Sequence, residues 1–258
     1  MPYITRTAFL DDAYLTACEG TVVAVNEQGG IILDETNFYA TSGGQPGDSG
    51  HLERADGTLI AIATTVGGMS RQEIVLVPAH GQVLPVVGEK LTGHIDWQRR
   101  YSLMRMHSAC HVLSVVCPYP ITSAAVGPEE SRVDFDLPEA GVTREDITKK
   151  MMEIINANHS ITAQWISEAE LDANASIVKS KNVRPPRGVG RIRLVIIGEN
   201  ACIDSQPCGG THVSETAEIG ELHIARIEKK GRENRRFRIR FGQAPAEAQP
   251  PAKAEAKP

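Results

Sequence analysis

The sequence predicts an α+β protein, a small N-terminal β-barrel followed by an α+β domain. Three observations carry that expectation. The first ninety-odd residues divide into short strand-like runs separated by turn signals, the pattern changes near Asp96 to apolar positions three or four apart, and beyond Cys117 strand and helix patterns alternate. A length of 258 residues suits one large or two modest domains at roughly 150 residues each.

In order, barrel strands are expected at residues 21–26, 30–34, 51–54, 59–65, 73–77 and 90–95, with Gly29-Gly30 and Asp56-Gly57 as hairpin signals. Residues 96–117 read as a helix on which Trp97, Tyr101, Met104, His107, His111 and Val115 recur, with Asp96 placed as N-cap and Pro118 as terminator. Next come a strand at 131–137, a helix at 143–156 capped by Thr143, and a strand at 161–166. Ser167 to Glu170 form a capping box that opens a short helix. A strand at 191–197 and a hairpin at 222–241 turning near Gly231 complete the pattern. The domains are therefore expected at 1–95 and 96–242. Residues 243–258, rich in Ala, Pro, Glu and Lys, cannot bury enough apolar area to offset their ordering entropy and are expected to form a disordered tail.

With 41% hydrophobic and 23% charged residues, wholesale disorder and a coiled coil are poor fits. No apolar run approaches the roughly 20 residues that span a bilayer. The N-terminus shows no basic start followed by an apolar block, so a cytoplasmic location is expected. Five cysteines, an odd number without framework spacing, point to free or metal-bound thiols. The net charge of −5 argues against a generally basic nucleic-acid binder, although local clusters matter more for holding a polyanion.

Two spacings carry the chemistry. His107 and His111 in HSACHVL are four apart on a helix, which puts both rings on one face, where they could chelate an ion or form a structural pair. Cys208 and His212 in QPCGGTHV are again four apart, with two glycines that let the backbone fold tightly. Together these make an N/S donor set suited to zinc, while the thiolate disfavours magnesium or calcium. A metalloprotease reading fails because Ser108 stands where HExxH needs its glutamate. Four protein ligands would close a tetrahedral site, so the count alone does not make an enzyme. No general base adjoins the ligands; Asp204 and Gln206 could orient a ligand or simply belong to a solvated loop.

HSACHVL, RVDFDL, IDSQPCGGTHV, IGELHI and FYATSGGQPGDSG together resemble the editing region of alanyl-tRNA synthetases and its free-standing relatives, the AlaX family, over most of residues 1–242. Without an ATP-binding domain or a long C-terminal domain, the sequence is similar to the medium-sized free-standing subgroup. The resemblance implies a zinc-containing editing domain of the threonyl/alanyl-tRNA synthetase type, with zinc on His107, His111, Cys208 and His212. It implies hydrolysis of the ester joining serine or glycine to tRNA for alanine. A pocket for alanine rejects a smaller or slightly more polar side chain only weakly, so a second sieve removes the errors.

Thr122 and Ser123 fall where the family lines its amino-acid pocket, and otherwise are ordinary strand residues. The resemblance places Gly43, Gly44, Gln45 and Asp48 beside that pocket; the alternative is a tight β-turn. Candidate phosphate contacts are Lys179, Lys181, Arg184, Arg187, Arg191 and Arg193 in one stretch, and Lys229, Lys230, Arg232, Arg235, Arg236, Arg238 and Arg240 around the last hairpin. Arg99, Arg100 and Arg105 flank the metal helix and are further candidates to approach the acceptor end. The competing reading from another class is a non-catalytic tRNA-binding module with a structural zinc; a weaker one is a zinc hydrolase of small esters or amides.

Overall fold

The computed structural model describes residues 3–137, 141, 143–182, 185, 188 and 190–245. Its N-terminal strands are β1 (Arg6–Thr7), β2 (Ala17–Val25), β3 (Ile31–Leu33), β4 (Glu35–Thr36), β5 (Gly50–Glu53), β6 (Leu59–Gly67), β7 (Ile74–Pro78) and β8 (Lys90–Ile95). Six of them close into a barrel in the order β2-β3-β7-β6-β5-β8. The seam pairs residues 17–21 of β2 with 90–94 of β8. Alternation explains the closure: Leu91, Gly93 and Ile95 of β8 face inward while Lys90 faces water, and Val22, Ile31, Leu33, Leu52, Ile60, Ile62 and Leu76 fill the interior. Gly57, at φ +81°, makes the tight β5–β6 turn foreshadowed by Asp56-Gly57.

Helix α1 (Trp97–Val116) leaves the barrel at once, with the Asp96 carboxylate accepting from the Arg99 amide as its N-cap. The spacing implies one buried face; the structure buries eleven of the twelve residues from Leu103 to Ser114, Arg105 being the exception. α1 is therefore a central helix, covered all round. Beyond it lie β9 (Ile121–Ala125), β10 (Glu130–Asp136), α2 (Arg144–Asn156), β11 (Ile161–Ser167), α3 (Glu168–Ala173), β12 (Arg191–Ile197), β13 (Asp204–Pro207), β14 (Leu222–Gly231) and β15 (Asn234–Phe241). They form a four-stranded sheet ordered β14-β15-β10-β9 and a three-stranded sheet ordered β11-β12-β13. The Thr143 cap and the Ser167–Glu170 capping box are both formed.

α1, α2 and both sheets enclose a second core in which Leu103, Met106, Leu113, Phe135, Met151, Ile197 and Phe237 meet, and Trp97 packs against this core and the barrel core alike. Three strands were missed from sequence, and a fourth, β9, was foreshadowed only by the alternative reading of Thr122 and Ser123. β1 and β4 are two-residue strands, while β9 and the polar β13 lack the apolar run or alternation that marks a strand. Of the expected tail, residues 246–258 lie outside the described residues. Among the described residues, no helix is long and apolar enough to cross a membrane.

Candidate metal centre and its surroundings

The four residues singled out by spacing converge. α1 presents His107 and His111, and the loop after β13 presents Cys208 and His212; one ligand atom from each lies within 4.8 Å of the others. Cys208 Sγ is 3.6 Å from His107 Nε2 and 3.4 Å from His212 Nε2. Gly209, Gly210 and Thr211 separate the loop's ligands, and Gly210 is the glycine the packing requires, since a Cβ there would sit 2.2 Å from His107 Cε1.

Each imidazole is held on its far nitrogen. Nδ1 of each ring meets a partner: His107 donates to Gln45 Oε1 at 2.8 Å, His212 shares a hydrogen bond with Ser108 Oγ at 3.1 Å, and His111 faces Asp204 Oδ2 at 3.3 Å. Asp204 in turn accepts from Lys179 Nζ at 2.6 Å and Gln206 Nε2 at 2.7 Å. Gln45 Oε1 also accepts from the Thr211 amide, and its Nε2 donates to Thr211 Oγ1 at 2.8 Å. Ser108, which occupies the place of the absent HExxH glutamate, thus orients a ligand.

The electrostatics favour a thiolate at Cys208, and a bound cation would displace the protons that the neighbouring histidines share with it. Burial alone would raise the Cys208 thiol, but the charges of His107 and His212 and hydrogen bonds from His107 and His111 hold it well below the ordinary value. Burial opposes a charged His111, yet Asp204 and Cys208 push it up to about 9. Burial, with the charge of His107 beside it, holds His212 down to about 3. Despite its burial, Asp204 is kept below the usual carboxylate range by His111 and Lys179. Three nitrogens and one sulfur, each imidazole oriented from behind, fit zinc by the chemistry of the donors.

The glycine-rich loop is seated against this cluster. Gly44, at φ +86°, lies so close to β9 that a Cβ would come 2.7 Å from the Ala124 carbonyl oxygen, and its own carbonyl accepts from the Val126 amide. Gly43 is exposed with open space around it. Thr122 is spoken for: its hydroxyl donates to the Asp134 carbonyl and accepts from Asn234 Nδ2. Ser123 is exposed, with one long contact from Arg132 at 3.4 Å.

Several expected substrate or phosphate contacts have other occupations. Asp48 is a correction: its carboxylate is buried with Arg100 and accepts from the Tyr39 amide, so no face is left for RNA. Arg100 is itself fully buried, so it does not reach the acceptor end of an RNA. Gln45 is also fully buried, behind His107 rather than open to a ligand. Arg235 is buried against the Gly231 and Asn234 carbonyls, and Arg236 forms a two-pronged pair with Asp134. Lys229 and Lys230 are exposed, the latter 3.5 Å from Glu228. Arg193 grips the ligand loop through the Cys208 and Gly210 carbonyls. Arg184 and Arg187 lie outside the described residues. The roles of Ser108, Lys179, Arg193 and Thr211 were missed because their partners are far away in sequence; Asp204 and Gln206 had at least their nearness to Cys208.

Comparison with known proteins places the chain in a family. The family model "Threonyl and Alanyl tRNA synthetase second additional domain" matches residues 192–238, and "tRNA synthetases class II (A)" matches residues 14–99. An alanyl-tRNA editing protein AlaX-M of Methanosarcina mazei is 37% identical over 244 residues, covering 91% of this chain and 95% of that protein. The AlaX-M protein of Methanosarcina acetivorans is 33% identical, covering 91% and 98%. An alanine–tRNA ligase of Pyrobaculum aerophilum is 35% identical over 237 residues, but only 25% of that longer protein is matched. With near-complete coverage in both directions and a shared editing region, the chain belongs to the family of AlaX-M alanyl-tRNA editing proteins.

Proposed function

We propose that this protein is a trans-acting hydrolase that removes serine or glycine wrongly esterified to tRNA for alanine, using zinc held by His107, His111, Cys208 and His212. The convergence of these four ligand atoms within 4.8 Å carries the reading, and the relatives, alanyl-tRNA editing proteins, supply the substrate class. Zinc bound there would supply Lewis-acid polarisation of the ester carbonyl or of a water.

The chain's own residues do the rest. Gln45, Ser108 and Asp204 face Nδ1 of the three rings and so fix their orientation, and metal binding would release protons with little movement of the rings. Ser123 has the hydroxyl less engaged within the protein and is the better of the two candidates to receive a serine side chain. A polar group left unpaired by alanine would penalise the correct product. Lys229 and Lys230 are the proposed phosphate contacts among the described residues. Four protein donors also suit a structural zinc in a non-catalytic tRNA-binding module. His111→Ala separates the two: loss of hydrolysis with fold and tRNA affinity kept supports catalysis, and unfolding supports the structural role.

The deciding experiment measures deacylation of alanine tRNA charged with serine, glycine or alanine, with and without zinc chelation. Fast, chelator-sensitive loss of serine or glycine with alanine spared is expected. Folded, zinc-replete protein that hydrolyses none of the three would overturn the proposal.

A further inference from the structure

A cavity of about 260 Å³ opens beside the metal ligand His212. Its floor is one face of the β11–β12 ladder, where Trp165 pairs with Arg193 and Ala163 with Val195. One wall is the 10–14 segment ending at Tyr14, and the other is the chain from His212 to Ser214. Trp165 is 46% exposed, unusual for so large an aromatic ring, and the Arg191 guanidinium lies 5.3 Å from its centroid. Ala163, two residues earlier on the same face, is too small to fill the space beside the indole.

We propose that this cavity is the subsite for the terminal nucleobase of the substrate RNA, with Trp165 as its stacking platform. The inference rests on the editing function proposed above and names where the end of the RNA sits. Its first argument is distance. The terminal base and the ester under attack are carried by one ribose, so whatever receives the base must adjoin the metal ligands; this cavity includes His212 in its wall, whereas the larger recess around Gly198 to Ala201 contains none of the four. Its second argument is chemistry. An exposed indole with a guanidinium against it offers an aromatic face and a cation to a flat heterocycle. Asp11, Asp12, Thr162 and Ser214 in the walls offer acceptors and hydroxyls to the amino group and ring nitrogens of adenine, the base that ends every mature tRNA. Asp11 is paired with Arg6 and Asp12 accepts from the Tyr14 amide, so the walls hold acceptors without a cluster of free cations that would call for a phosphate. Arg193 joins the subsite to the centre, since it lies in the floor and holds the Cys208 and Gly210 carbonyls.

The test uses the full-length zinc-loaded protein, with Trp165→Ala and Trp165→Phe. Trp165 and Trp97 are the protein's two tryptophans. Removing the ring should raise KM for mischarged tRNA roughly tenfold with little change in kcat or zinc content, and phenylalanine should restore most of the loss. Adenosine monophosphate should quench fluorescence of the wild type but not of Trp165→Phe, whose emission comes from Trp97. An unaltered KM in folded Trp165→Ala, or equal quenching in both proteins, overturns the subsite. If the wild type deacylates nothing, the editing function fails by itself and the quenching comparison still decides whether the cavity takes a base.

Discussion

Gln45 holds two ligand-bearing segments at once. Its carbonyl oxygen accepts from His107 of α1 and from the Thr211 amide in the Cys208–His212 loop, and its amide nitrogen donates to Thr211 Oγ1. A buried group with three such partners is costly to truncate, because each partner is left unpaired. Gln45→Leu is therefore expected to weaken zinc affinity about 10–100-fold, read by competition with a chromophoric chelator, while Gln45→Glu, which keeps both acceptor contacts, retains most of it. Equal affinities in wild type and Gln45→Leu would remove Gln45 from the centre. Before the fold was known, the ligands themselves were legible and their supports mostly were not. Spacings of four advertise His107 with His111 and Cys208 with His212, whereas the bond from Gln45 to His107 spans 62 residues and leaves no local pattern.

The same contrast governs the elements. The basic run on β15 suggests a phosphate-binding edge, but antiparallel pairing sets it opposite acids: Arg236 against Asp134, Arg238 against both Glu130 and Glu228, and Arg240 against Glu130. A charge run shows its sign in sequence and its partners only after strands pair. Barrel strands and capped helices were legible because alternation and caps are local; β13 was not, since Asp204–Pro207 is polar and owes its place to pairing with β12. The ladder predicts a pH dependence. Burial raises the Glu130 carboxyl, but Arg238 and Arg240 override it and leave it below the usual range. A depressed carboxylate contributes stability above its unfolded value, about 4.3, and loses it as pH falls through the lower folded value. Glu130→Gln should cost about 1 kcal/mol or less near neutrality, because the pairs are partly solvated. The gap in urea midpoint between variant and wild type should close on acidification; a gap constant with pH would assign the cost to packing instead.

At the scale of the molecule, the barrel and the metal helix are joined by a charge pair out of reach of water. Arg100 Nε donates to both Asp48 oxygens at 3.1 and 3.0 Å, and the guanidinium also reaches the Ala13 and Asn37 carbonyls. Asp48 follows Gln45 by three residues in the glycine-rich loop, and Arg100 precedes His107 by seven, two turns along α1. The pair therefore fixes where the loop carrying Gln45 meets the helix carrying His107. Two charges taken out of water regain little net energy from each other, but removing one partner strands the other. Arg100→Met is expected to destabilise the protein by about 3–5 kcal/mol in urea unfolding, and Arg100→Met with Asp48→Asn by clearly less than the sum of the single changes. Trp97, packed against both cores, reports both sides in a Trp165→Phe background. A double variant that loses the full sum would show that the two charges act separately, and the registration of loop on helix would then rest on Gln45 and the close fit of Gly44 to β9 alone.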